Sequence, residues 1–342
     1  MRILVVNVNW LGDILFSTPA LRAIKKKHPN AYLACLVPPW GRVVLQNNPA
    51  VDELISFEEN SFFTTIWQTK SLIGLLRKRG FDTAIFFHRS KTKALAACLS
   101  GIRRRVGYRY GFRDFLLTEG HSFPEGRIHR IDFFLHLLRK SGVEANGRTL
   151  DFFPRQEAEE ELRTLLGRQG AGLNAPYAVV HAGGNWPLKR WPVSYFVEWL
   201  RLFFDRFGWK IFLCGTTKEQ PIAKSISSYF PNEARLISLC GKTSLDTLAI
   251  LLRGAQFLLT NDSGPMHLAA SQGTNIIGLF GPTSPEITGP VSKGPAVVLR
   301  KDTGCEVPCY FRSCDYRVCM DWITPHEVFQ KSVEMVEGKG LL

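Results

Sequence analysis

Residues 2–13, RILVVNVNWLGD, contain the pattern that decides the fold. An apolar run of strand length ends in a short polar turn, and a segment with helical periodicity follows it. The same order recurs along the chain, and this alternation is typical of parallel sheets covered by helices on both faces. We therefore predict an α/β fold, with strands at residues 3–8, 32–37, 53–57, 83–88, 105–108, 177–181, 210–214, 256–260, 275–280 and 296–299.

The chain is long enough for two such sheets. Its 342 residues exceed what one hydrophobic core usually supports, and 45% hydrophobic residues exclude a disordered chain. The polar stretch Arg168–Pro176, RQGAGLNAP, interrupts both periodicities. We predict an N-terminal Rossmann-like domain over 1–167, a C-terminal Rossmann-like domain over 176–324, and a final helix over 325–342 that packs back on the N-terminal domain.

The excess of positive charge is large and uneven. The chain carries 43 Lys and Arg against 30 Asp and Glu, a net charge of +13, and residues 1–165 account for +9 of it. Basic runs such as Lys25–Lys27 and Arg103–Arg105 are compatible with binding nucleic acid, an anionic membrane or a phosphorylated substrate, and equally with solvated helix ends. No apolar run reaches about 18 residues and the N-terminus lacks a signal-peptide core, so we expect a cytoplasmic protein.

Asp13 stands at the end of the turn that follows the first apolar run. Open α/β sheets bind ligands at the carboxyl ends of their strands, which makes Asp13 a candidate for chemistry. Thr18 and Pro19 resemble an N-cap followed by a first helical proline, which would place Asp13 in a loop upstream of that helix. Capping of a helix by Asp13 is the alternative. The turn lacks G-x-G-x-x-G, so dinucleotide binding by this half is not expected.

A second strand-to-helix turn, Asn261–Ala270, opens a helix with Ser263, Gly264 and Pro265. Backbone N–H groups at a helix start, together with the helix dipole, favour an anion. Asp262 cannot itself attract phosphate, so we expect it to orient the loop or to accept a hydrogen bond from a sugar hydroxyl. A simple capping turn is the alternative.

Three more loops follow strands in this half: His181–Pro192, Gly215–Glu219 and Cys240–Ser244. The first contains the cations Lys189 and Arg190, and either would suit a diphosphate. Four polar loops at one sheet edge predict a nucleotide pocket. We expect His181 to be a hydrogen-bonded residue at a strand end rather than a catalyst.

Four of the eight cysteines lie close together in the sequence, and their spacing is looser than that of paired C-x-x-C zinc knuckles. We expect these four thiols to stay reduced and to bind no metal, with a metal site as the alternative. They are Cys305, Cys309, Cys314 and Cys319.

Five motifs follow one another along the chain: Gly12-Asp13, Lys189–Pro192, Gly241–Leu245, and above all Asn261–Ala270 followed by Gly278–Thr283. In this order they resemble the ADP-heptose:lipopolysaccharide heptosyltransferases, over nearly the whole chain. His129–Asp132 and Cys319–Pro325 also fit this family. Cys319–Pro325 resembles the corresponding segment of the branch that adds the second inner-core heptose.

The resemblance implies a glycosyltransferase of the GT-B architecture, in which two Rossmann-like domains face each other across a cleft. By the same resemblance, Asp13 is the catalytic base that takes the acceptor proton. The donor would be ADP-heptose, and the residues implied to bind it are Asn185, Lys189, Glu219, Thr243, Asp262, Ser263, Gly264 and His267. For the acceptor we expect Arg103, Arg104 and Arg105.

No metal or other cofactor is expected, because Lys189 and helix amides can hold the leaving diphosphate and no Asp-x-Asp motif is present. The expected partners are the nucleotide-sugar donor, a phosphorylated lipopolysaccharide inner core and the cytoplasmic face of the inner membrane, and nucleic acid is not among them. Two rival hypotheses remain. One is a heptosyltransferase that acts on protein and holds metal in its cysteine cluster, and the other is a non-enzymatic module that binds anionic surfaces or nucleic acid.

Overall fold

A computed structural model describes residues 1–58, 62–145, 147–311 and 313–338, so the last four residues of the predicted 325–342 helix lie outside the described part. The chain divides into a first unit, Met1–Phe153, and a second unit, Pro154–Leu342. In its described residues each unit has a six-stranded parallel sheet with helices. The predicted α/β class with two Rossmann-like domains is confirmed.

The first sheet has the strand order β3-β2-β1-β4-β5-β6. Its strands are β1 (Arg2–Val6), β2 (Tyr32–Val37), β3 (Glu53–Ser56), β4 (Thr83–Phe86), β5 (Arg104–Tyr108) and β6 (Glu119–His121). The helices are α1 (Leu11–Lys27), α2 (Arg42–Leu45), α3 (Phe62–Arg79), α4 (Lys91–Leu99) and α5 (Arg130–Lys140), with 3-10 helices at Pro39–Gly41 and Gly111–Leu116.

The second sheet has the order β12-β11-β10-β7-β8-β9. Its strands are β7 (Tyr177–His181), β8 (Lys210–Leu213), β9 (Leu236–Ser238), β10 (Leu258–Asn261), β11 (Ile276–Phe280) and β12 (Ala296–Arg300). The helices are α6 (Ala158–Arg168), α7 (Val193–Arg206), α8 (Gln220–Ser227), α9 (Leu245–Gly254), α10 (Gly264–Gln272), α11 (Pro285–Thr288), α12 (Val318–Asp321) and α13 (Pro325–Glu337), with 3-10 helices at Pro187–Lys189 and Thr217–Glu219.

Both sheets follow the doubly wound order, in which the first strand of a unit lies beside its second and its fourth. The direction of winding reverses between β1 and β4 in the first unit and between β7 and β10 in the second. Ligands of such folds bind outside the carboxyl ends of the strands at this switch point. The topology therefore fixes where a site belongs in each unit.

The unit boundary lies earlier than predicted. It falls after Phe153 and not in 168–176, because α6 packs against α9 of the second unit. Leu162 and Leu166 on α6 are buried, and Arg155 donates to Asp246 on α9 at 3.1 Å. The apolar stripe of α6 predicts a helix, but it does not show which sheet the helix covers.

The last helix packs within the second unit. The packing observed for α13 is against α7, and Trp199 donates a hydrogen bond to Ser332 at 3.1 Å. Val328 and Met335 belong to the hydrophobic core of that unit. An amphipathic face predicts that a helix is covered but not by what, and the expected packing of this helix on the N-terminal domain stays a prediction.

Helix α1 begins at Leu11, much earlier than Thr18 and Pro19 predicted. Pro19 lies inside the helix, where it has no N–H to donate to the carbonyl of Leu15. The hydroxyl of Thr18 donates to that same carbonyl at 2.8 Å and so compensates for the missing donor. Asp13 is consequently in the first turn of α1 and not in a loop upstream of it.

Candidate functional site

The four polar loops of the second unit leave from one edge of its sheet. Strands β10, β7, β8 and β9 are neighbours in that order and all are parallel, so their carboxyl ends meet at the same edge. Two of the loops follow β7 and β10 and therefore flank the switch point. The predicted collection of four loops at one edge is confirmed.

Lys189 and Asp262 form an ion pair across this switch point. The Nζ atom of Lys189 lies 2.8 Å from Oδ2 of Asp262. The Asp262 side chain is 5% exposed, whereas the Lys189 side chain is 24% exposed. Burial of a carboxylate to this extent is costly unless a cation or several hydrogen-bond donors lie beside it. Sequence reasoning assigned roles to both residues but did not foresee their pairing.

Asn261, which received no role from the sequence, joins the two loops. Its side chain is fully buried at the end of β10. Its Oδ1 accepts a hydrogen bond from the backbone of Trp191 at 3.0 Å, and its Nδ2 donates to the carbonyls of Ala182 and Gly183 at 3.1 and 2.9 Å. One amide side chain thus fixes both ends of the loop that carries Lys189. The signal in the sequence was a polar residue at the last position of an apolar strand.

His181 is buried at the end of β7, as expected of a hydrogen-bonded strand-end histidine. Its Nδ1 lies 3.1 Å from the hydroxyl of Ser263. Burial lowers the pKa of His181 to about 4, with Arg190 also lowering it and Glu219 opposing. The imidazole is therefore neutral near pH 7 and orders Ser263 rather than carrying charge.

Helix α10 begins at Gly264 with Ser263 as its N-cap, as the sequence predicted. The first-turn amides and the positive end of the helix dipole therefore lie directly after Asp262. His267 is buried one turn into the helix. The start of α10 and Lys189 together make this part of the edge favourable for an anion.

Glu219 is held from two sides in the loop after β8. Its Oε2 accepts from the backbone N–H and the hydroxyl of Thr216, at 2.8 and 2.6 Å, as part of a capping box. A Cβ atom at Gly215 would lie 2.8 Å from Cβ of Glu219, and one at Gly183 would collide with its side chain. The two glycines permit the close approach that buries Glu219.

Asn185 and Thr243 are the least constrained of the expected donor residues. Asn185 is exposed, and Thr243 is half-buried in the loop after β9. That loop is tied to the loop after β8 by a hydrogen bond from Gly241 to Gly215 at 2.8 Å. Gly241 has φ +73°, and a Cβ there would lie 2.6 Å from Nε2 of Gln220, so the position requires glycine.

Asp13 is half-buried at the switch point of the first unit, in the first turn of α1. Four residues before it, Asn9 lies 3.2 Å from Nε2 of His88, the residue that follows β4 by two positions. Lys93 is 2% exposed, and its Nζ donates to Oδ1 of Asn9 at 3.3 Å. A nearly fully buried lysine is unusual, and the sequence analysis did not single it out.

The Arg103–Arg105 run lies at the opposite edge of the first sheet. These residues lead into and begin β5, so they are at its amino end, whereas Asp13 follows the carboxyl end of β1. Arg104 pairs with Glu119 at 2.8 Å, and Nε of Arg105 donates to the carbonyl of Leu116 at 2.6 Å. Arg103 is exposed. This placement does not fit the expected acceptor site, because ligands of such sheets bind at the carboxyl edge.

Other cations occupy the carboxyl edge of the first sheet. Arg89 and Lys91 follow β4, and Arg109 follows β5. Beside them a cavity of about 460 Å³ is lined by Arg109, Lys140 and the histidines 121 and 136, with Glu125 also on its wall. Burial, and next Lys140, lower the pKa of His136. Sequence reasoning missed these cations because they are scattered over the segments after β4 and β5 and the end of α5 rather than grouped in a run.

The cysteine cluster contains two exposed thiols, Cys305 and Cys314, and two half-buried ones, Cys309 and Cys319. Burial raises the pKa of Cys319, and the other three thiols raise it further. Over the described ranges, no three His, Cys, Asp or Glu side chains are grouped as a metal site requires. The expectation that these cysteines bind no metal stays a prediction.

None of the helices in the described part of the chain is both long enough and apolar enough to cross a bilayer.

Comparison with known proteins gives a consistent result. Residues 69–316 match the model of glycosyltransferase family 9 (heptosyltransferase). Lipopolysaccharide heptosyltransferase 2 of Escherichia coli K12 is 28% identical over 312 residues, which are 89% of each chain. The solved structure of E. coli ADP-heptose heptosyltransferase II superimposes with a TM-score of 0.81 at 26% identity, over 99% of both chains. A family 9 glycosyltransferase from Veillonella parvula gives a TM-score of 0.87 at 22% identity, over 99% of this chain and 97% of that one.

The family model covers well over half of the chain, and the fold matches that of a solved heptosyltransferase over 99% of both chains. The protein belongs to glycosyltransferase family 9, the heptosyltransferases, and is a glycosyltransferase.

Proposed function

We propose that this enzyme transfers heptose from ADP-L-glycero-β-D-manno-heptose to the inner core of lipopolysaccharide, with inversion, at the cytoplasmic face of the inner membrane. The observation that supports the donor half most directly is the Lys189–Asp262 pair beside the start of α10. The names of the relatives support the acceptor half, since the similar E. coli protein is a lipopolysaccharide heptosyltransferase.

In the donor site, Lys189 and the first amides of α10 would hold the diphosphate. An ammonium group has three N–H donors, so Lys189 can bind phosphate oxygens while it still contacts Asp262. Ser263 and Gly264 would contribute at the helix start, with His267 behind them. Because Oε2 of Glu219 is engaged by Thr216, a ribose hydroxyl would use Oε1. Thr243 and Asn185 would border the adenosine and the sugar.

In the transfer step, Asp13 would take the proton from the acceptor hydroxyl as its oxygen attacks the anomeric carbon. The bond between that carbon and the diphosphate breaks, and the negative charge moves onto the departing phosphate. Lys189 and the helix amides stabilise that charge more strongly than they stabilise the bound donor, which is how they would accelerate the reaction. These groups supply the positive charge, so we propose that no metal or other cofactor takes part.

For the acceptor, we propose the cations at the carboxyl edge of the first sheet in place of Arg103, Arg104 and Arg105. Arg89, Lys91 and Arg109 lie at the edge where Asp13 lies, and Lys140 and two histidines line the adjoining cavity. A phosphorylated sugar would find several positive donors there.

The test combines binding and turnover. In calorimetry, ADP and ADP-heptose should bind, and UDP- and GDP-sugars should bind at least about tenfold more weakly, as expected of an enzyme whose donor is ADP-heptose. Transfer should then be measured by mass spectrometry on deacylated inner-core oligosaccharide and on a peptide mixture. Transfer to peptide with none to oligosaccharide would refute the proposed acceptor, and preference for another nucleotide would refute the proposed donor.

A further inference from the structure

Two aromatic rings stand almost fully exposed on the first unit. Phe112 and Phe115 lie in the 3-10 helix Gly111–Leu116 and are 80% and 85% exposed. A 3-10 helix has three residues per turn, so side chains at i and i+3 lie on the same side of it. Single exposed apolar residues are ordinary, but a contiguous group marks an interaction surface.

The segment that carries these rings is firmly anchored. Arg113, between them, is 1% exposed, and it donates to the carbonyl of His88 at 2.7 Å and to the carbonyl of Tyr108. Arg105 holds the end of the helix through the carbonyl of Leu116. The rings are therefore presented by a preorganised element, and binding through them would cost little ordering entropy.

The 3-10 helix packs beside α4, whose exposed side continues the surface. Lys91, Leu95 and Leu99 follow one another at intervals of four residues, and the two leucines are 41% and 51% exposed. The Nζ of Lys91 lies 5.9 Å from the ring centroid of Phe112. We call Leu95, Leu99, Phe112 and Phe115 the aromatic face.

Positive charge borders the aromatic face at both ends. Lys91 and Arg89 are exposed at the start of α4, and Arg103 is exposed four residues after its end. The guanidinium of Arg89 lies 5.2 Å from the ring of Tyr110 and 4.8 Å from that of Phe123. A second copy of the chain would bring equally charged surfaces together, whereas an anionic surface complements them.

We propose that the aromatic face docks on an anionic lipid bilayer, with Phe112 and Phe115 entering the boundary between headgroups and acyl chains and Arg89, Lys91 and Arg103 contacting lipid phosphates. Aromatic rings favour this boundary, and each nearby Lys or Arg adds on the order of 1 kcal/mol on an anionic leaflet. The inference rests on the proposed function in that it explains how the enzyme reaches an acceptor embedded in lipid.

The test is flotation of the full chain with vesicles of phosphatidylcholine alone or with about 30 mol% phosphatidylglycerol, at about 0.15 M salt. The wild-type protein should float with the anionic vesicles only. The double variant Phe112→Ser, Phe115→Ser should partition to the anionic vesicles about tenfold less than wild type, or less still. Its melting temperature should not change, because both rings are exposed. The double variant Tyr310→Ser, Phe311→Ser removes two aromatics that are 84% and 74% exposed on the second unit and should partition as wild type does.

Transfer to deacylated, soluble acceptor, measured in parallel, separates this inference from the proposed function. The Phe112, Phe115 variant should keep that activity and lose transfer to acceptor embedded in vesicles. Equal flotation of variant and wild type, equal flotation on neutral vesicles, or a dimer that dissociates in the variant would each overturn the inference. Flotation as expected without transfer to either acceptor would refute the proposed function alone.

Discussion

The two units share a strand order but differ in what they place at the carboxyl edge of the sheet. In the second unit, buried polar residues connect the loops: Asn261 ties one loop together, His181 orders Ser263, and Asp262 pairs with Lys189. In the first unit the same edge has one smaller group of this kind, in which Asn9 contacts His88 and Lys93, and it also carries exposed cations such as Arg89 and Lys91. The net charge differs as well, at +11 for Met1–Phe153 and +2 for the remainder of the chain.

The difference indicates that one fold can serve two kinds of ligand through its loops alone. A fixed, buried polar network suits a small ligand of constant shape, because its donors need no reorganisation. Exposed cations suit a large anionic partner, since long-range attraction does not require a fixed geometry. This agrees with the proposed assignment of donor to the second unit and acceptor to the first.

The largest effect should come from Asp13→Asn, which tests whether the first unit supplies chemistry in addition to binding. Asparagine has nearly the same size but cannot accept the proton, so turnover should fall by about 10²–10⁴-fold. ADP affinity should stay the same. The matched control is Asp132→Asn, which changes the first-turn carboxylate of α5 in the same way. Turnover of Asp13→Asn within threefold of wild type would exclude the role of base.

The next effect concerns pH and the buried network of the second unit. The pKa of His181 is about 4 in the folded protein, below its ordinary 6.5, because the ring is buried. In the unfolded chain this histidine binds its proton with a pKa near 6.5, so between pH 6.5 and pH 4 protons favour the unfolded state. The free energy of unfolding should therefore fall by about 3 kcal/mol as the pH drops from 6.5 to 4. Urea unfolding of wild type and His181→Gln at pH 7 and pH 4.5 measures the contribution. Equal acid sensitivity of the two proteins would contradict it.

Lys189→Ala should weaken ADP binding by about 1.5–3 kcal/mol, the usual loss for a charge-assisted hydrogen bond. It should also lower the melting temperature, because Asp262 would remain buried without its cation. Adding Asp262→Asn should restore part of the melting temperature and none of the ADP affinity. The control Lys218→Ala removes an exposed cation nearby. Unchanged ADP affinity in Lys189→Ala would place the diphosphate elsewhere.

A smaller effect is expected from salt. It should depend on the exposed cations of the first unit and not on those of the second. The KM for a soluble phosphorylated acceptor should rise severalfold between about 0.01 and 0.15 M salt while kcat stays constant, since screening weakens capture by exposed charges. The double variant Arg109→Gln, Lys140→Gln should flatten this dependence, and Arg201→Gln in the second unit should not. A KM of the wild-type enzyme that does not change with salt would contradict the proposed electrostatic capture of the acceptor.

The smallest effect should come from chelation. Treatment with a strong chelator should leave activity unchanged, because the proposed donor site draws its positive charge from Lys189 and the start of α10. Metal analysis of the purified protein is the complementary measurement, and it should find no stoichiometric metal. Stoichiometric zinc or iron that is lost together with activity would instead make the cysteine cluster a functional metal site.

Most local elements, and the polar loops that follow the strands, could be predicted from the sequence alone. The strands Tyr32–Val37 and Tyr177–His181 have the predicted bounds, since apolar periodicity over a few residues reflects which face is buried. The three-residue strands β6 and β9 were missed because so short a segment has no readable period. The motif around Asp262 was found because its small residues lie next to one another.

The contacts between these parts follow from the arrangement of the strands in three dimensions. Lys189 and Asp262 are 73 positions apart and become partners because β7 and β10 are adjacent and parallel. Arg104 and Arg105 form a conspicuous basic run, yet the direction of β5 puts them at the edge opposite to Asp13. Apolar periodicity and the hydrogen bonds of turns act over a few residues and are visible in the sequence. Strand order brings distant residues together, and no local pattern encodes it.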